Sequence, residues 1–196
     1  MTRDFFTRDP LTCARGLIGC ELLWKGCGGI IVETEAYSAR NDEACHTFSR
    51  PSSRRFVADH PPGTAYVYLN YGVHWLLNFL VKGGADEGFV LIRALEPAHG
   101  IADMRRRRKM DDPTRLCSGP GKLTQAIGID GSSHGLDFLR GNALILHRAR
   151  FLPRIIQAPR IGISRAADLP WRFFLRDNPH VSVGHPEPRI PPLGKI

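Results

Sequence analysis

The sequence predicts a mixed, largely antiparallel α+β domain. Segments typical of β-strands cluster along the chain, and they do not alternate regularly with helices as they would in a parallel sheet. With 196 residues, the chain is most simply one domain, residues 1–196, which is long enough to bury a sizeable core. Residues 186–196, which include four prolines, are expected to form an irregular tail.

The first predicted elements are a helix and two strands. The helix lies in TRDPLTCARGLIG, where Asp9 can cap the N-terminus and Pro10 can occupy the first helical position. CELLW and GGIIVETEAY are typical of strands, with a glycine-rich turn over residues 26–29 between them. Residues 38–63 are polar, basic and proline-bearing, so a long loop is expected there.

The next segment, AYVYLNYGVHWLLNFLV at residues 65–81, predicts a β-hairpin. Asn70 and Gly72 tolerate positive φ, so the chain is expected to reverse over residues 70–72. Tyr71 would then lie at the tip, where an exposed aromatic ring is unfavourable unless it meets a partner. Further strands are expected in EGFVLIRALEP, NALILHRAR, PRIIQAPRIGIS and WRFFLRD, and helices over residues 97–110 and 119–127.

The net charge of +8 indicates an anionic partner. Nucleic acid is favoured over a membrane surface. No segment has the roughly 20 apolar residues that a membrane helix needs. The N-terminus lacks the apolar stretch of a signal peptide, so an intracellular location is expected, the cytoplasm or nucleoid if the source is bacterial. In a basic protein Tyr71 could insert between base pairs, or the hairpin tip could pack on another loop.

The five cysteines are scattered, odd in number and without a CxxC pair. This pattern favours reduced, buried thiols over a disulfide framework or a zinc site. The sequence also lacks the motifs of zinc deaminases, serine hydrolases, zinc proteases and dinucleotide-binding folds. No metal and no other cofactor is therefore expected.

The strand IVETEAY places two carboxylates on one face. Glu33, Glu35 and Tyr37 alternate with apolar or small residues, and same-face neighbours lie about 6.5–7 Å apart. That spacing is within the range of carboxylate pairs that hydrolyse glycosidic bonds. A half-exposed strand with a polar outer face is the simpler alternative, but His46 and a basic segment follow directly.

Three further features could bind a ligand. Asn78 and Arg93 interrupt apolar strands, where each needs a hydrogen-bond partner or a bound group. LCSGPGKLTQAIG reads as a turn entering a helix, and Lys122 in its first turn suits a phosphate, although the full nucleotide-loop motif is missing. The run MRRRRKM is expected to form a solvated surface.

IVETEAY, His46, YVYLNYG, LIRALEP and LCSGPGKL, in that order, resemble the alkyladenine (3-methyladenine) DNA glycosylase family. The likeness runs from about Cys20 to Val183 and includes RIGIS and FFLRDNPHVSV. It implies a curved, largely antiparallel β core with surrounding helices and a protruding hairpin that inserts into DNA. The implied enzyme is a monomeric, monofunctional glycosylase of base excision repair, which acts on double-stranded DNA containing damaged purines.

The implied reaction begins when a damaged purine is flipped out of the duplex, and hydrolysis of its N-glycosidic bond then leaves an abasic site. Cationic 3-methyladenine and 7-methylguanine leave readily, whereas neutral hypoxanthine and ethenoadenine need protonation first. Both lesion classes remain open.

The resemblance also implies roles for individual residues. Glu35 corresponds to the general base that activates water, and Arg93 to the arginine beside that water. Tyr71 corresponds to the tyrosine that fills the space left by the flipped base. The base pocket corresponds to Tyr37, His46, Tyr68 and Asn78. Glu33 is expected to have a structural role.

One segment departs from the family pattern. Where the family often carries Arg-Thr-Pro-Arg-Asn and then Met-Phe, this chain has PSSRR followed by Ala58 and Asp59. The expected contacts to DNA are Arg54, Arg55, Val73, His74, Ser118 and Lys122. The competing hypotheses are a non-catalytic nucleic-acid-binding module of similar fold and a carbohydrate hydrolase that uses Glu33 and Glu35.

Overall fold

A computed structural model describes residues 1–140, 144–147 and 152–183. Within these ranges eight strands form one sheet, and every strand pair is antiparallel. The strands are β1 Glu21–Trp24, β2 Cys27–Ser38, β3 Ala65–Asn70, β4 His74–Val81, β5 Gly88–His99, β6 Leu144–His147, β7 Ile155–Ala158 and β8 Arg172–Leu175. The helices are α1 Pro10–Leu17, α2 His46–Ser49, α3 Pro51–Asp59, α4 Ile101–Arg108, α5 Pro113–Leu116 and α6 Pro120–Ile127, and short 3-10 turns cover Arg3–Thr7 and Gly131–Ser133. This architecture confirms the predicted α+β class.

The sheet is organised around the long strand β2. The strands lie in the order β3-β4-β5-β2-β1-β6 across the sheet, and β8 pairs with both β2 and β7. The pairing of β2 with β5 shifts register between Ile31 and Glu33 and again between Glu33 and Thr34. Such bulges re-aim side chains and bend a strand, and here they lie beside the two glutamates of β2.

Several local predictions are confirmed. Helix α1 begins at Pro10, and the Asp9 carboxylate accepts a hydrogen bond from the Thr12 backbone N–H. Helix α6 begins at Pro120 with Lys122 in its first turn. All five cysteines are buried, and none of them forms a disulfide bond within the described residues. The predicted tail at residues 186–196 lies outside the described residues.

The predicted loop over residues 38–63 is wrong, because helices α2 and α3 occupy much of it. Pro51 starts α3, and Phe56 and Val57 bury the apolar side of that helix. The remaining side chains of α3 are mostly polar, so the hydrophobic periodicity was too weak to indicate a helix.

Two boundary predictions also need correction. The helix expected over residues 97–110 begins at Ile101, because residues 97–99 complete β5 and Gly100 adopts a left-handed conformation. The turn expected over residues 26–29 is restricted to Lys25 and Gly26, which both have positive φ. Gly29 instead belongs to β2, where a Cβ atom would lie 1.9 Å from the Glu96 carbonyl oxygen.

Alternation along the strands separates two hydrophobic clusters. The larger one packs α1, α4 and α6 against the sheet and contains, for example, Leu17, Ile31, Ile92 and Met104. The smaller cluster takes the intervening residues of the same strands, including Tyr66 and Phe89, together with Phe56 and Val57 of α3. Tyr37 and Tyr68 pack against this smaller cluster, which therefore supports the aromatic residues singled out from the sequence. No helix of the described residues is long and apolar enough to cross a bilayer.

Candidate active site

A cavity of about 340 Å³ opens beside the hairpin formed by β3 and β4. Its wall comes from β2–β5, the start of α6, residues 161–163, Ala44 and the first residue of α2. On β3, Val67 enters the main core, whereas Tyr66 and Tyr68 line the cavity. The predicted residues that line it are Tyr37, His46, Tyr68, Tyr71, Asn78 and Arg93. The structure thus brings six separately predicted positions into one site.

Glu35 is fully buried directly behind the cavity wall. One carboxylate oxygen accepts a hydrogen bond from the Tyr37 hydroxyl at 2.9 Å and lies 3.2 Å from Nη1 of Arg93. The other oxygen accepts a hydrogen bond from the backbone N–H of Ile161 at 2.8 Å. All three donor residues line the cavity. The carboxylate is therefore held in a fixed orientation within one side-chain layer of the cavity.

Arg93 connects the two glutamates of β2. Its Nε lies 3.2 Å from Glu33, and its Nη1 reaches Glu35. Burial lowers the pKa of Arg93, but the charges of Glu35 and Glu33 outweigh burial and raise it, so the guanidinium remains charged. Both carboxylates are fully buried, so the alternative of a half-exposed strand with a polar outer face is wrong.

Glu33 has a larger set of partners than any sequence pattern indicated. It also accepts hydrogen bonds from Nε of Arg172 at 2.6 Å, and from the backbone N–H and hydroxyl of Ser182 at 2.7 and 2.9 Å. These contacts tie the segment after β8 to the centre of the sheet.

Aromatic rings form the cavity walls. His46 meets Tyr68 edge-on with ring centres 4.4 Å apart, and its Nδ1 lies 3.0 Å from the Tyr66 hydroxyl. Burial and the nearby charge of Arg50 lower the pKa of His46 to about 4, so the imidazole is neutral at pH 7. Burial raises the pKa of Tyr68 to about 12, and burial together with Glu35 raises that of Tyr37 well above its ordinary value. Both phenols are therefore neutral hydrogen-bond donors.

The hairpin is present as predicted, but its connection occupies residues 71–73 rather than 70–72. The backbone N–H of Val73 donates to the Asn70 carbonyl, and positive φ occurs at Tyr71 and Gly72. Asn70 pairs with His74, so three residues connect the two strands. Positive φ was expected at Asn70 rather than Tyr71, and this detail is wrong. Tyr71 is 87% exposed and Val73 is 67% exposed, so the tip presents apolar surface to solvent beside the cavity.

A comparison with protein families decides the class of the molecule. The model of the family described as methylpurine-DNA glycosylase (MPG) matches residues 4–179. The chain belongs to the methylpurine-DNA glycosylase family. It is a DNA glycosylase, a hydrolase of DNA repair that cleaves the N-glycosidic bond. The resemblance noted in the sequence is confirmed, and the family assignment disfavours both the non-catalytic binding module and the carbohydrate hydrolase.

Relatives of this glycosylase match along most of their length. A protein of Rhodopseudomonas palustris (strain ATCC BAA-98 / CGA009) is 49% identical over 95% of this chain and 89% of its own. Proteins of Bradyrhizobium diazoefficiens and Chlorobium luteolum are each 43% identical, over 95% and 94% of this chain and 92% and 97% of their own. All three bear the name "Putative 3-methyladenine DNA glycosylase".

Beyond the hairpin tip, the residues predicted to contact DNA fall into two groups. His74 begins β4 and packs closely on α6: a Cβ atom at Gly121 would lie 2.7 Å from the Cβ of His74. Lys122 is exposed on the first turn of α6, whereas Ser118 is buried. A buried side chain is a poor candidate for direct contact with phosphate.

The second group, Arg54 and Arg55, is exposed on α3. Arg54 donates to the Thr47 carbonyl within α2 at 2.7 Å. The glycosylase therefore uses part of this arginine to join α2 and α3, the segment that carries His46.

Sequence reasoning missed the buried pair of Asp42 and Arg160. Nη1 and Nη2 of Arg160 lie 2.6 and 2.8 Å from the two Asp42 oxygens, and both side chains are fully buried. The Arg160 guanidinium carbon lies 4.6 Å from the centre of the Tyr37 ring, and the next residue is Ile161, which donates to Glu35. The available signal was an arginine within the apolar run RIGIS, since such arginines are seldom buried without a partner.

Proposed function

We propose that this glycosylase flips an alkylated purine out of double-stranded DNA into the cavity and hydrolyses its N-glycosidic bond with a water activated by Glu35. The observation that carries the proposal is the fixed carboxylate behind the cavity wall, held by Tyr37, Arg93 and Ile161. A general base must lie within hydrogen-bond reach of the water it deprotonates, and such contacts often tighten only when substrate binds. The product is an abasic site, and the working unit is a monomer.

The chemistry of the leaving group agrees with the walls of the cavity. A purine alkylated at N3 or N7 carries a positive charge and leaves without further protonation. The faces of Tyr37 and Tyr68 favour such a cation by roughly 0.5–2 kcal/mol each. The negative charge of Glu35 also favours the oxocarbenium-like sugar that forms as the bond breaks.

The titratable groups of the wall favour cationic over neutral lesions. Neutral purines need a proton donor at the leaving base. His46 is neutral at pH 7 because its pKa is lowered to about 4, and the raised pKa values of Tyr37 and Tyr68 make both phenols weak acids. We therefore expect faster release of 3-methyladenine and 7-methylguanine than of hypoxanthine.

The shape of the site is consistent with base flipping. Its volume of about 340 Å³ lies in the range of roughly 300–1,000 Å³ found for small-molecule sites. Tyr71 projects from the hairpin beside this opening, and a side chain inserted at a base step stabilises an unstacked duplex. Exposed Lys122 at the start of α6 is suited to a backbone phosphate.

The decisive experiment measures single-turnover formation of abasic sites. Wild type and Glu35→Gln are compared on one duplex methylated by an alkylating agent and a second duplex containing deoxyinosine. The glutamine variant retains the shape of the side chain but cannot accept a proton, so a loss of about 100-fold or more is expected on the methylated duplex. Wild-type rates for Glu35→Gln would refute the assignment of Glu35, and faster release from the deoxyinosine duplex would refute the preference for cations.

A further inference from the structure

Four buried charges form a continuous row beneath the cavity. In spatial order they are Arg172, Glu33, Arg93 and Glu35. Arg172 lies 2.6 Å from Glu33, while Arg93 lies 3.2 Å from each of its two carboxylates. Hydrogen bonds between a guanidinium and a carboxylate are ordinarily about 2.7–2.9 Å long. The contacts of Arg93 are therefore long on both sides, as expected for one cation shared by two anions.

This sharing has a chemical consequence for Glu35. A guanidinium paired closely with one carboxylate neutralises it and weakens it as a proton acceptor. Contact with Glu33 keeps Nε of Arg93 directed away from Glu35, and only Nη1 reaches the latter. Glu33 is itself fixed by Arg172 and by both donors of Ser182, so it cannot move with Arg93 toward the cavity.

We propose that Glu33 is a positioning residue: it holds Arg93 between two carboxylates and so keeps Arg93 from closing onto Glu35 as a tight ion pair. This inference rests on the proposed role of Glu35 as the base. Glu33 does not line the cavity, so it acts through Arg93 rather than on the substrate.

The surroundings of Glu35 show why removal of Glu33 matters. Tyr37 lies on the same strand, Arg93 on β5 and Tyr68 on β3, and Arg172 on β8 is the register partner of Glu35. Arg160, on the segment after β7, is neutralised by Asp42. Without Glu33, the charges of Arg93 and Arg172 would both face Glu35, since the nearby Asp42 is paired with Arg160.

The test is the pH dependence of single-turnover base release from a duplex containing 7-methylguanine. This cationic lesion needs no proton donor, so the acidic limb of the profile reports the base alone. In Glu33→Gln we expect the midpoint of that limb to move to lower pH by about 1 unit. We also expect the plateau rate to fall several-fold, while affinity for a duplex with a stable abasic analogue changes less than about twofold.

Two further variants separate this role from simple support of the fold. Ser182→Ala removes the hydroxyl contact to Glu33 but keeps the backbone N–H contact and the charge, so its acidic limb should coincide with that of wild type. If Glu33→Gln does not fold, the charge-balanced double variant Glu33→Gln/Arg172→Gln replaces it, with a smaller shift in the same direction.

The possible results are distinct. An unmoved acidic limb in Glu33→Gln, or in the double variant that replaces it, overturns the inference, as does an equal shift in Ser182→Ala. Full activity of Glu35→Gln would instead refute the proposed function itself. Loss of activity in Glu35→Gln with an unmoved limb in Glu33→Gln would refute only the role of Glu33.

Discussion

Asp42→Asn should be one of the most destabilising isosteric changes in this protein. Asp42 binds both Nη atoms of Arg160 at 2.6 and 2.8 Å. It also accepts hydrogen bonds from the backbone N–H groups of Ser38 and Ala44, both at 3.1 Å. Asparagine replaces one acceptor oxygen with a donor and leaves the Arg160 charge buried without a counter-charge. Removal of one partner of a buried ion pair costs about 3–5 kcal/mol.

Urea unfolding measures this cost. With a slope of about 2 kcal/mol per molar urea, a loss of 4 kcal/mol lowers the midpoint by about 2 M. The matched control is Asp103→Asn, which removes the exposed pair of Asp103 with Arg106 at 2.7 Å, whose side chains are 44% and 74% exposed. That change should cost about 1 kcal/mol or less. If Asp42→Asn loses no more stability than Asp103→Asn, the Asp42–Arg160 pair does not hold the fold as argued.

Two further predictions concern the hairpin and the cavity. Tyr71→Ala should leave the free energy of unfolding within about 0.5 kcal/mol of wild type, because the ring is 87% exposed. The rate of single-turnover excision from duplex DNA should nevertheless fall at least about 10-fold, since the stacking contact with the DNA is lost. An equal loss on a single-stranded substrate would contradict insertion into the duplex. His46 should make stability pH-dependent: its pKa falls from 6.5 to about 4 on folding, so its contribution is complete above pH 6.5 and is lost as the pH drops toward 4. The loss of stability between pH 7.5 and 4.5, measured by urea midpoints, should be smaller in His46→Asn, and an unchanged loss would refute this assignment.

Local patterns in the sequence predicted much of the fold. Asp9 and Pro10 mark the start of α1, and the alternation in VETEAY identifies a strand with two aligned carboxylates. Gly72, which tolerates positive φ, marks the reversal of the hairpin. In each of these cases the decisive interactions lie within a few residues, where periodicity and capping rules apply.

The parts that the sequence did not predict depend on distant partners. Asp42 and Arg160 are 118 positions apart, and Glu33 and Ser182 are 149 apart. A single charged residue in the sequence predicts either a solvated surface or a ligand site, and only the folded structure shows which counter-charge it meets. Helix α3 was missed for a related reason: its stability comes from Phe56 and Val57 packing on β3–β5 aromatic and aliphatic residues, which no local window contains.

The row of charges around Glu33 also affects the stage of translation at which the centre of the sheet can fold. Glu33 emerges from the ribosome early, whereas Arg172 and Ser182 follow 139 and 149 positions later. Until then the nascent chain would have to bury Glu33 without two of its partners, and an uncompensated carboxylate favours water. The centre of the sheet should therefore close late in translation, and a chain stopped before β8 should lack both the final fold and an ordered Glu35. Incompletely synthesised chains would then be unable to release bases from DNA.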